Sequence, residues 1–423
     1  MLYDIGFAIF SLFYLPALIF GGKLHGDFAE RFGRYGEDKR KALAEAKGAI
    51  WIQAVSVGEV ALCRGLIPKL KSAFPARRIV LSTITKTGND LAKRLFSEDA
   101  VIIYFPLDFS SIVKKVVALI TPGIYIMIET EIWPNLLKEI ARNKVPSILI
   151  NGRISDRSFG KYGMAKPFLK DTLKKISQFC MQSDLDAERI IYLGAPIKRV
   201  RVTGNMKFDI DIKADSKAME TLRETLSLKA GEELFVAGST HRAEERMVIE
   251  SFKELLKDFP KIRLLIAPRH IERGHEVRQE VKRAGLAPSQ VFILDRIGYL
   301  ASAYSFATLV FIGGSLVKHG GQNPIEPAAF EKAVIFGPHM FNFKSVARVF
   351  LDCDGAIQVS DKEGLVRAAA LLLKDSRRRA ELGRNAKRVA LENRGATEKN
   401  LEEVSASLRG CPEPPGFGAP EAI

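Results

Sequence analysis

The sequence predicts an α/β protein with two doubly wound domains, each built around a parallel sheet, and an N-terminal membrane-anchor helix. Beyond residue 48, short β-branched runs alternate with longer amphipathic stretches, as in the strand–helix–strand units of parallel sheets. The alternation forms two series, which are separated by a polar region rich in Lys and Glu. A chain of 423 residues, 47% of them hydrophobic, is long enough to build two such cores.

The two series define the expected domains. The strands predicted in the first series are Ala49–Val55, Arg78–Ser82, Val101–Phe105, Ile124–Ile128, Ser147–Ile150 and Phe179–Gln182. Those predicted in the second are Leu234–Ala237, Arg263–Ala267, Val291–Leu294, Thr308–Ile312 and Ala333–Phe336. We expect a first domain over residues 23–208, a connection over 209–232, a second domain over 233–409 and a disordered tail over 410–423. Two such sheets imply a central cleft between them.

Charge and cysteine content exclude several classes of protein. The formal net charge is +15, and the four cysteines, Cys63, Cys180, Cys353 and Cys411, stand far apart without a CxxC pair. Neither a disulfide framework nor a thiolate zinc site is indicated, and we expect a reducing compartment. The six histidines include no HExxH motif, so no metal site is predicted.

Residues 1–22 form the candidate membrane anchor. No charged residue occurs from Ile5 to Gly22, which is close to the length of about 17 to 25 residues that a spanning helix needs, although Pro16 interrupts the stretch. Basic residues follow between Lys23 and Lys47, a bias that predicts that the body of the protein lies on the cytoplasmic side of the membrane. The segment either spans the bilayer or dips into it. The alternative is an apolar helix packed on its own domain.

Carboxylates follow two strands of the first series, at the edge where parallel sheets bind ligands. Glu59 ends the segment Ser56-Val57-Gly58-Glu59 at a helix start, where the helix dipole favours the ionised form that suits a general base. Glu129 and Glu131 follow the fourth strand, and we expect one of the two to face the cleft. In the alternative interpretation, these acids are only charged residues at helix starts that satisfy N–H groups.

Phosphate-binding residue types recur in the second series. The segments Gly238-Ser239-Thr240-His241, Pro268-Arg269-His270 and Gly313-Gly314-Ser315 each follow a strand. Their amides, hydroxyls and guanidinium converge on one sheet edge and predict an anion site. In the segment 320–327, Glu326 could accept ribose hydroxyls, although helix capping is the simpler explanation.

Several motifs, in this order along nearly the whole chain, resemble a known family. They are Trp51-Ile52-Gln53-Ala54-Val55-Ser56-Val57-Gly58-Glu59, residues 129–135, Asn151-Gly152-Arg153, Gly204-Asn205-Met206-Lys207-Phe208-Asp209, Ala267-Pro268-Arg269-His270, and Gly313-Gly314-Ser315 through Asn323-Pro324-Ile325-Glu326. They resemble the Kdo transferases of lipopolysaccharide synthesis. That family consists of GT-B glycosyltransferases, which move 3-deoxy-D-manno-octulosonic acid (Kdo) from CMP-Kdo to the lipid A precursor at the cytoplasmic face of the inner membrane.

The resemblance implies roles for particular residues. Glu59 would be the catalytic base, and Glu129 and Lys207 would stabilise the transition state. The implied CMP-binding residues are Pro268, Arg269, Gly313, Gly314, Ser315, His339, Met340, Phe341 and Asn342, with Asn323 and Glu326 as further candidates. A single base without a protein nucleophile implies an inverting displacement, and no cofactor or metal ion is implied. Gln53 departs from the family pattern, which has His there, and Gln cannot titrate near neutrality.

The basic surplus predicts an anionic partner. Lys166, Lys170 and Lys174 share one helical face, which suits an anionic membrane surface and a phosphorylated glycolipid acceptor. A solvated lysine face is the alternative, and no nucleic-acid-binding motif is present. Two other functions stay open: a GT-B enzyme that uses a UDP-sugar or interconverts nucleotide sugars, and a non-catalytic nucleotide sensor. We reject a metal-dependent reading of the Asp-x-Asp triplets at 184–186, 209–211 and 352–354, because none follows a predicted strand beside the phosphate loops.

Overall fold

The computed structural model describes residues 3, 4, 6, 8 and 26–409. The chain divides into two compact units. Among the described residues, the first unit comprises those up to Ile210 together with 394–409, and the second unit comprises Asp211–Asn393.

The first unit contains a seven-stranded parallel sheet. Its strands are β1 Ile50–Gln53, β2 Ile79–Thr83, β3 Ala100–Tyr104, β4 Ile124–Ile128, β5 Ser147–Gly152, β6 Gln178–Met181 and β7 Val200–Val202. They pair in the order β3-β2-β1-β4-β5-β6-β7, so the strand order reverses between β1 and β4. Ligands of doubly wound sheets bind beyond the carboxyl ends of the strands at such a reversal.

Two hydrophobic cores cover the two faces of this sheet. Trp51 and Tyr125 lie in one core, where their rings meet edge to face at 5.2 Å. Ile50 and Ile124, their neighbours along the strands, lie in the other core. Because both faces are covered, the strands are apolar at nearly every position, which is why continuous β-branched runs predict them.

Helices connect the strands of the first unit. They are α1 Glu37–Ala44, α2 Val57–Ala73, α3 Lys86–Phe96, α4 Ser110–Ile120, α5 Pro134–Arg142, α6 Asp156–Met164, α7 Lys166–Leu173 and α8 Asp184–Leu193, with short 3-10 helices at Gly26–Phe32, Ile197–Arg199 and Met206–Asp209. Hydroxyl side chains start three of them: Thr85, Ser155 and Ser183 each accept a backbone N–H from the first turn of α3, α6 and α8. These residues are preferred N-caps because they satisfy an N–H group that has no partner within the helix.

The second unit contains a six-stranded parallel sheet with the order β10-β9-β8-β11-β12-β13. Its strands are β8 Glu233–Thr240, β9 Ile262–Pro268, β10 Val291–Ile293, β11 Leu309–Ile312, β12 Ala333–Phe336 and β13 Ala356–Gln358. Its helices are α9 Ser216–Leu226, α10 Glu244–Asp258, α11 Gly274–Arg283, α12 Leu300–Phe306, α13 Ile325–Ala329, α14 Lys344–Asp352, α15 Lys362–Lys374 and α16 Ser376–Glu392, with 3-10 helices at Ile271–Arg273 and Phe341–Phe343.

The predicted α/β class with two parallel sheets is confirmed. Every predicted strand is present, and its ends move by at most three residues. The edge strands β7 and β13 were not predicted. Each is three residues long and partly exposed, so neither produces the apolar run that identifies a strand buried on both faces.

The polar connection predicted over residues 209–232 contains a helix, α9. Ala218, Leu222 and Leu226 are buried on it, four residues apart, and Asp215 caps its start by accepting the N–H of Ala218 at 2.7 Å. Charged residues at most other positions hide this single apolar stripe in the sequence. The segment is therefore part of the folded second unit.

The last described helix, α17 Ala396–Leu408, belongs to the first unit, so the prediction that the second domain extends to residue 409 is wrong. Val404 and Leu408 of this helix are buried in a core of the first unit. The carboxylate of Asp209 accepts the N–H of Gly395 at 2.6 Å and also bonds to the N–H of Thr397. The sequence does not reveal this return of the chain, because it depends on contacts between distant segments.

No helix among the described residues is long and apolar enough to cross a membrane. The predicted anchor over residues 1–22 falls on a segment of which the structure describes residues 3, 4, 6 and 8. The predicted tail over 410–423 lies outside the described residues.

Candidate active site

Glu59 lies in the first turn of α2, directly after the central strand β1. Its carboxyl group accepts the N–H of Val55 at 2.6 Å and the hydroxyl of Ser56 at 3.0 Å. The residue is only 9% exposed. The helix-start hydrogen bonding predicted as the alternative is therefore present, but the carboxyl is also buried close to other acids.

Burial, together with the charge of Glu129, raises the pKa of Glu59 to about 8, although the N–H of Val55 opposes the shift. Burial therefore outweighs the helix dipole, which by itself favours the ionised form of this carboxyl. A helix dipole stabilises a nearby charge by about 0.3–1 kcal/mol, whereas withdrawing a carboxylate from water costs several kcal/mol. At pH 7, a carboxyl group with this pKa is mostly protonated.

Glu129 and Glu131 follow β4 at the same edge of the sheet. Glu129 has a left-handed backbone with φ of 59°, and its N–H donates to the carbonyl of Ile150 at 3.0 Å. This conformation costs a non-glycine residue about 1–3 kcal/mol and is typical of functional sites. Glu131 accepts the indole N–H of Trp133 at 3.1 Å, and burial raises its pKa to about 7. Both acids are half-buried, and both raise the pKa of Glu59.

Lys207 brings positive charge to these acids. It lies in the 3-10 helix Met206–Asp209, which is held in place because the N–H of Met206 donates to the side chain of Asn151 at 3.0 Å. The Lys207 ammonium is 3.7 Å from a carboxylate oxygen of Glu129. Burial lowers the pKa of Lys207, and Glu129 opposes this shift. The structure thus brings the three predicted catalytic residues together in the first unit.

Two further residues lie at this edge, and the sequence predicted no catalytic role for them. Gln53, at the end of β1, is fully buried and accepts the hydroxyl of Ser82 at 2.5 Å. Its amide nitrogen has no hydrogen-bond partner among the described residues. Arg153 follows β5 directly and is half-buried. Their positions at the carboxyl ends of β1 and β5 are the sequence signal that could have identified them.

The predicted nucleotide-site residues of the second unit lie at the carboxyl edge of its sheet. Arg269 follows Pro268 at the end of β9, is exposed, and donates its N–H to the carbonyl of Thr240 at 2.9 Å. After β12, the N–H of His339 donates to the carbonyl of Ser315 at 2.9 Å. The first bond joins the loop after β9 to the end of β8, and the second joins the loop after β12 to the loop after β11.

The amides of the Gly313-Gly314-Ser315 loop are occupied by an internal carboxylate. Glu244, fully buried at the start of α10, accepts the N–H groups of Gly314, Ser315 and Leu316 at 2.6, 3.0 and 2.9 Å. It also accepts the N–H of His241 at 3.2 Å. Burial raises the pKa of Glu244, and these donors oppose the shift. In this structure a side chain therefore engages the amides of Gly314, Ser315 and Leu316, and the assignment of this loop to the nucleotide site stays a prediction.

Ser315 is not free to bind a ligand through its hydroxyl either. The group is fully buried, donates to the carbonyl of Ile312 at 2.5 Å and accepts the N–H of Gly337 at 2.7 Å. Ser315 therefore ties the ends of β11 and β12 together.

Two glycines let the predicted segment 339–342 approach closely. A Cβ on Gly320 would lie 2.3 Å from the amide nitrogen of Asn342, and one on Gly321 would lie 2.2 Å from the sulfur of Met340. Met340 is buried by this approach, whereas Phe341 is 54% exposed. Of these two predicted residues, Phe341 is the one whose side chain is exposed.

Three histidines gather at the same edge, although the sequence assigned them no individual role. The rings of His241 and His319 stack at 4.2 Å, and His270 meets His241 edge to face at 6.0 Å. The amide nitrogen of Gln322 is 3.3 Å from Nε2 of His241. Burial and the neighbouring histidines and Arg269 lower the pKa of His241 to about 4, so its ring is neutral at pH 7.

Asn323 and Glu326 form a capping arrangement at the start of α13. The side chain of Asn323 accepts the N–H of Ile325 at 3.1 Å, and its amide donates to Glu326 at 3.4 Å. Burial raises the pKa of Glu326, and Arg269 opposes the shift. The helix capping predicted as the simpler explanation is thus present, and Glu326 also interacts electrostatically with Arg269.

No cluster of three or more metal-ligating side chains occurs in the part of the chain that the structure describes. The carboxylates of two Asp-x-Asp triplets serve the fold. Asp186 accepts the N–H of Ile154 at 2.8 Å, and Asp354 pairs with Arg378 at 2.6 Å.

We predict that Glu244→Gln lowers the free energy of unfolding of the protein by about 2–4 kcal/mol, because an amide offers one acceptor oxygen to several buried N–H donors. Urea unfolding followed by circular dichroism measures the change. The matched control is Glu250→Gln on the same helix, at a 41% exposed side chain, which should change stability by less than about 0.5 kcal/mol. Equal stability of the two variants would contradict a structural role for Glu244.

Comparison with known proteins connects both units to glycosyltransferases. Residues 26–210 match the family described as 3-Deoxy-D-manno-octulosonic-acid transferase (kdotransferase), and residues 224–389 match Glycosyl transferases group 1. A glycosyltransferase structure from Rickettsia africae superposes with a TM-score of 0.62 at 12% identity, covering 86% of this chain and 99% of that one. This likeness shows the fold, which is the GT-B fold with two Rossmann-like domains.

Two relatives extend along nearly the full chain. The 3-deoxy-D-manno-octulosonic acid transferase of Haemophilus influenzae is 34% identical over 397 residues, covering 90% of this chain and 91% of the relative. The transferase of the same description from Chlamydophila psittaci is 31% identical over 394 residues, covering 90% of each chain. The chain therefore belongs to the 3-deoxy-D-manno-octulosonic acid transferase family of glycosyltransferases.

Proposed function

We propose that this enzyme transfers Kdo from CMP-Kdo to the lipid A precursor lipid IVA in lipopolysaccharide synthesis, with Glu59 as general base. The observation that carries the proposal is the buried carboxyl of Glu59, whose pKa of about 8 lies near the pH at which such a base works best. Family membership supports Kdo as the transferred group.

The reaction that we infer is a single inverting displacement without a metal ion. The acceptor hydroxyl oxygen attacks the anomeric carbon of Kdo and gives its proton to Glu59. The bond from that carbon to the phosphate oxygen breaks, and its electron pair leaves with CMP. A carboxylate with a raised pKa is a stronger base than an ordinary one, which helps it to accept a sugar hydroxyl proton.

The charged residues of each unit suit this scheme. The sugar ring becomes more positive as CMP leaves, and the carboxylate of Glu129, held 3.7 Å from Lys207, can stabilise that charge. The leaving phosphate becomes more negative, and we assign its stabilisation to Arg269 and to hydrogen bonds from the histidines of the second unit. His241 would act there as a neutral hydrogen-bonding group.

We infer that the enzyme works at the cytoplasmic face of the inner membrane, on an anionic lipid surface. The apolar stretch from Ile5 to Gly22 and the basic residues after it support this location. Around α6 and α7, Met164 is 81% exposed and Phe168 is 82% exposed, with Lys161 and Lys170 exposed nearby. Apolar side chains ringed by lysines are the composition expected of a surface that contacts anionic lipids.

We predict that Glu59→Gln lowers kcat for Kdo transfer by about 10²–10⁴-fold, because the amide keeps a hydrogen-bond acceptor for Val55 but cannot take a proton. Mass spectrometry of the product from CMP-Kdo and lipid IVA measures the loss, with UDP-sugars as competing donors. CMP binding and thermal stability should stay unchanged.

Glu98→Gln, at an exposed acid of the same unit, is the control and should keep full activity. Wild-type activity of Glu59→Gln would exclude Glu59 as the base. Turnover of UDP-sugars in place of CMP-Kdo would favour the alternative GT-B function.

We predict that kcat/KM rises with pH through a limb near pH 8, because the base must lose its proton before it can act. Glu131 raises the pKa of Glu59, so Glu131→Gln should move this limb to lower pH. The pH dependence of initial rates with CMP-Kdo measures both effects. A profile that is flat between pH 6 and pH 9 would contradict this assignment of the base.

We predict that replacing Lys161, Lys166 and Lys170 together by Gln weakens binding of the full-length protein to vesicles that contain anionic lipid, by roughly 1 kcal/mol per lysine. Sedimentation with vesicles of neutral and mixed neutral–anionic lipid measures the change. The control replaces Lys253, Lys257 and Lys282, which are exposed lysines of the second unit. Equal loss in both triple variants would show that net charge, rather than this surface, determines binding.

A further inference from the structure

Arg153 lies at the carboxyl end of β5, beside the acids that follow β4. One hydroxyl group holds its backbone from both sides: Thr130 donates to the carbonyl of Arg153, and the N–H of Arg153 donates to the hydroxyl of Thr130 at 3.0 Å. Thr130 stands between Glu129 and Glu131 in the chain. Arg153 is therefore positioned next to the acidic residues by the fold itself.

The guanidinium of Arg153 makes no hydrogen bond or ion pair with the described part of the chain, although it is half-buried. Its charge lies close enough to Lys207 to lower the pKa of that lysine. Arg189 provides the contrast, since its guanidinium donates to the carbonyl of Ile154 at 2.6 Å and to Asp156 at 2.5 Å. Because arginine stays protonated, Arg153 keeps its guanidinium donors for a ligand.

The neighbouring acids are engaged elsewhere. Glu129 pairs with Lys207 at 3.7 Å, and Glu131 accepts the indole N–H of Trp133 at 3.1 Å. Glu59 accepts the N–H of Val55 at 2.6 Å. A half-buried cation that the surrounding acids do not neutralise is suited to bind an anionic group of the substrate.

The next step rests on the proposed function. Kdo is a 2-keto sugar acid, so its carboxylate is bonded to the anomeric carbon that the acceptor hydroxyl attacks. Glu129, together with Glu59 and Glu131 when they are ionised, would repel this carboxylate unless a cation lies beside it. We propose that Arg153 binds the carboxylate of the transferred sugar acid through paired hydrogen bonds, and that it thereby selects sugar acids over neutral sugars.

A phosphate of the acceptor is the other oxyanion that a guanidinium could bind. A phosphate monoester carries a charge of about −1.5 to −2 at pH 7, so the ionised acids at this edge would repel it more strongly than they repel a carboxylate. Arg153 and Glu59 also follow strands of the same sheet, and Glu59 would take the proton of the hydroxyl that attacks the anomeric carbon. The carboxylate on that carbon is therefore the better match.

The test combines two donors with variants of the full-length enzyme. The donors are CMP-Kdo and its carboxamide analogue, in which a neutral amide replaces the carboxylate. The variants are Arg153→Gln and Arg153→Lys, and the matched control is Arg142→Gln, at a 69% exposed arginine of α5 in the same unit. Initial rates give the KM for donor and acceptor separately, and thermal unfolding with CMP binding reports on folding.

With CMP-Kdo, Arg153→Gln should raise the donor KM by about 10- to 100-fold, the range expected for the loss of a charge-assisted hydrogen-bond pair. The acceptor KM should stay within about twofold of wild type, and Arg153→Lys should fall between wild type and Gln because it keeps the charge but loses the planar fork. With the carboxamide donor, wild type and Arg153→Gln should have similar KM values. Arg142→Gln should behave as wild type with both donors.

Two results would overturn the proposed contact with the carboxylate. The first is that Arg153→Gln raises the acceptor KM instead of the donor KM, which would assign Arg153 to the acceptor phosphate. The second is that Arg153→Gln raises the donor KM equally for CMP-Kdo and for its carboxamide analogue. If Arg153→Gln unfolds, Arg153→Lys carries the comparison, and equal donor KM for Arg153→Lys and wild type would also overturn the proposal. Failure of the wild-type enzyme to use CMP-Kdo at all would overturn the proposed function, and it is seen before any variant is compared.

Discussion

The free-energy cost of burying charged groups determines which acids are ionised at the carboxyl ends of the strands in the first sheet. Glu59, Glu129 and Glu131 meet there, and Lys207 lies 3.7 Å from Glu129. Burial and, after it, the negative charge of Glu129 raise the pKa of Glu59 to about 8. This raised pKa means that ionisation of Glu59 costs stability, and it produces a carboxyl that can exchange a proton near neutrality. Arg153 adds a second cation to this edge, which makes the site able to receive a negatively charged substrate.

The second unit also contains a buried carboxyl group, that of Glu244, but this group stabilises the fold instead of exchanging a proton. Glu244 is as deeply buried as Glu59, but it accepts four backbone N–H groups and holds the loop after β11 closed around itself. A carboxylate whose lone pairs are all engaged by the backbone serves the fold, because moving its proton would break several bonds at once. We therefore assign recognition of the proposed donor to exposed side chains of this unit such as Arg269 and His319.

The sequence predicts the parts of this molecule whose physics is local. Buried strands show as β-branched runs because both faces of each sheet are covered, whereas Val200–Val202 and Ala356–Gln358 are too short and exposed to show. The strand-end positions of Glu59, Glu129 and Arg269 were predictable for the same reason. The raised pKa of Glu59 was not predictable, because it depends on burial and on Glu129, which comes from a distant part of the chain. The hydrogen bond from the N–H of Gly314 to Glu244 was not predictable either, because these two residues are 70 positions apart.

Gln53 is an uncharged side chain at the end of β1, next to the carboxyl cluster. The family resemblance implies a histidine at this position, and a histidine at the end of β1 would place a second titratable group close to the start of α2. Gln53 instead accepts the hydroxyl of Ser82, which in turn accepts the indole N–H of Trp51 at 2.8 Å, so the network behind the site is neutral. A neutral network leaves the protonation of this edge to Glu59 and to the acids after β4. The pH dependence of this enzyme should therefore reflect the carboxyl cluster, without an imidazole contribution from β1.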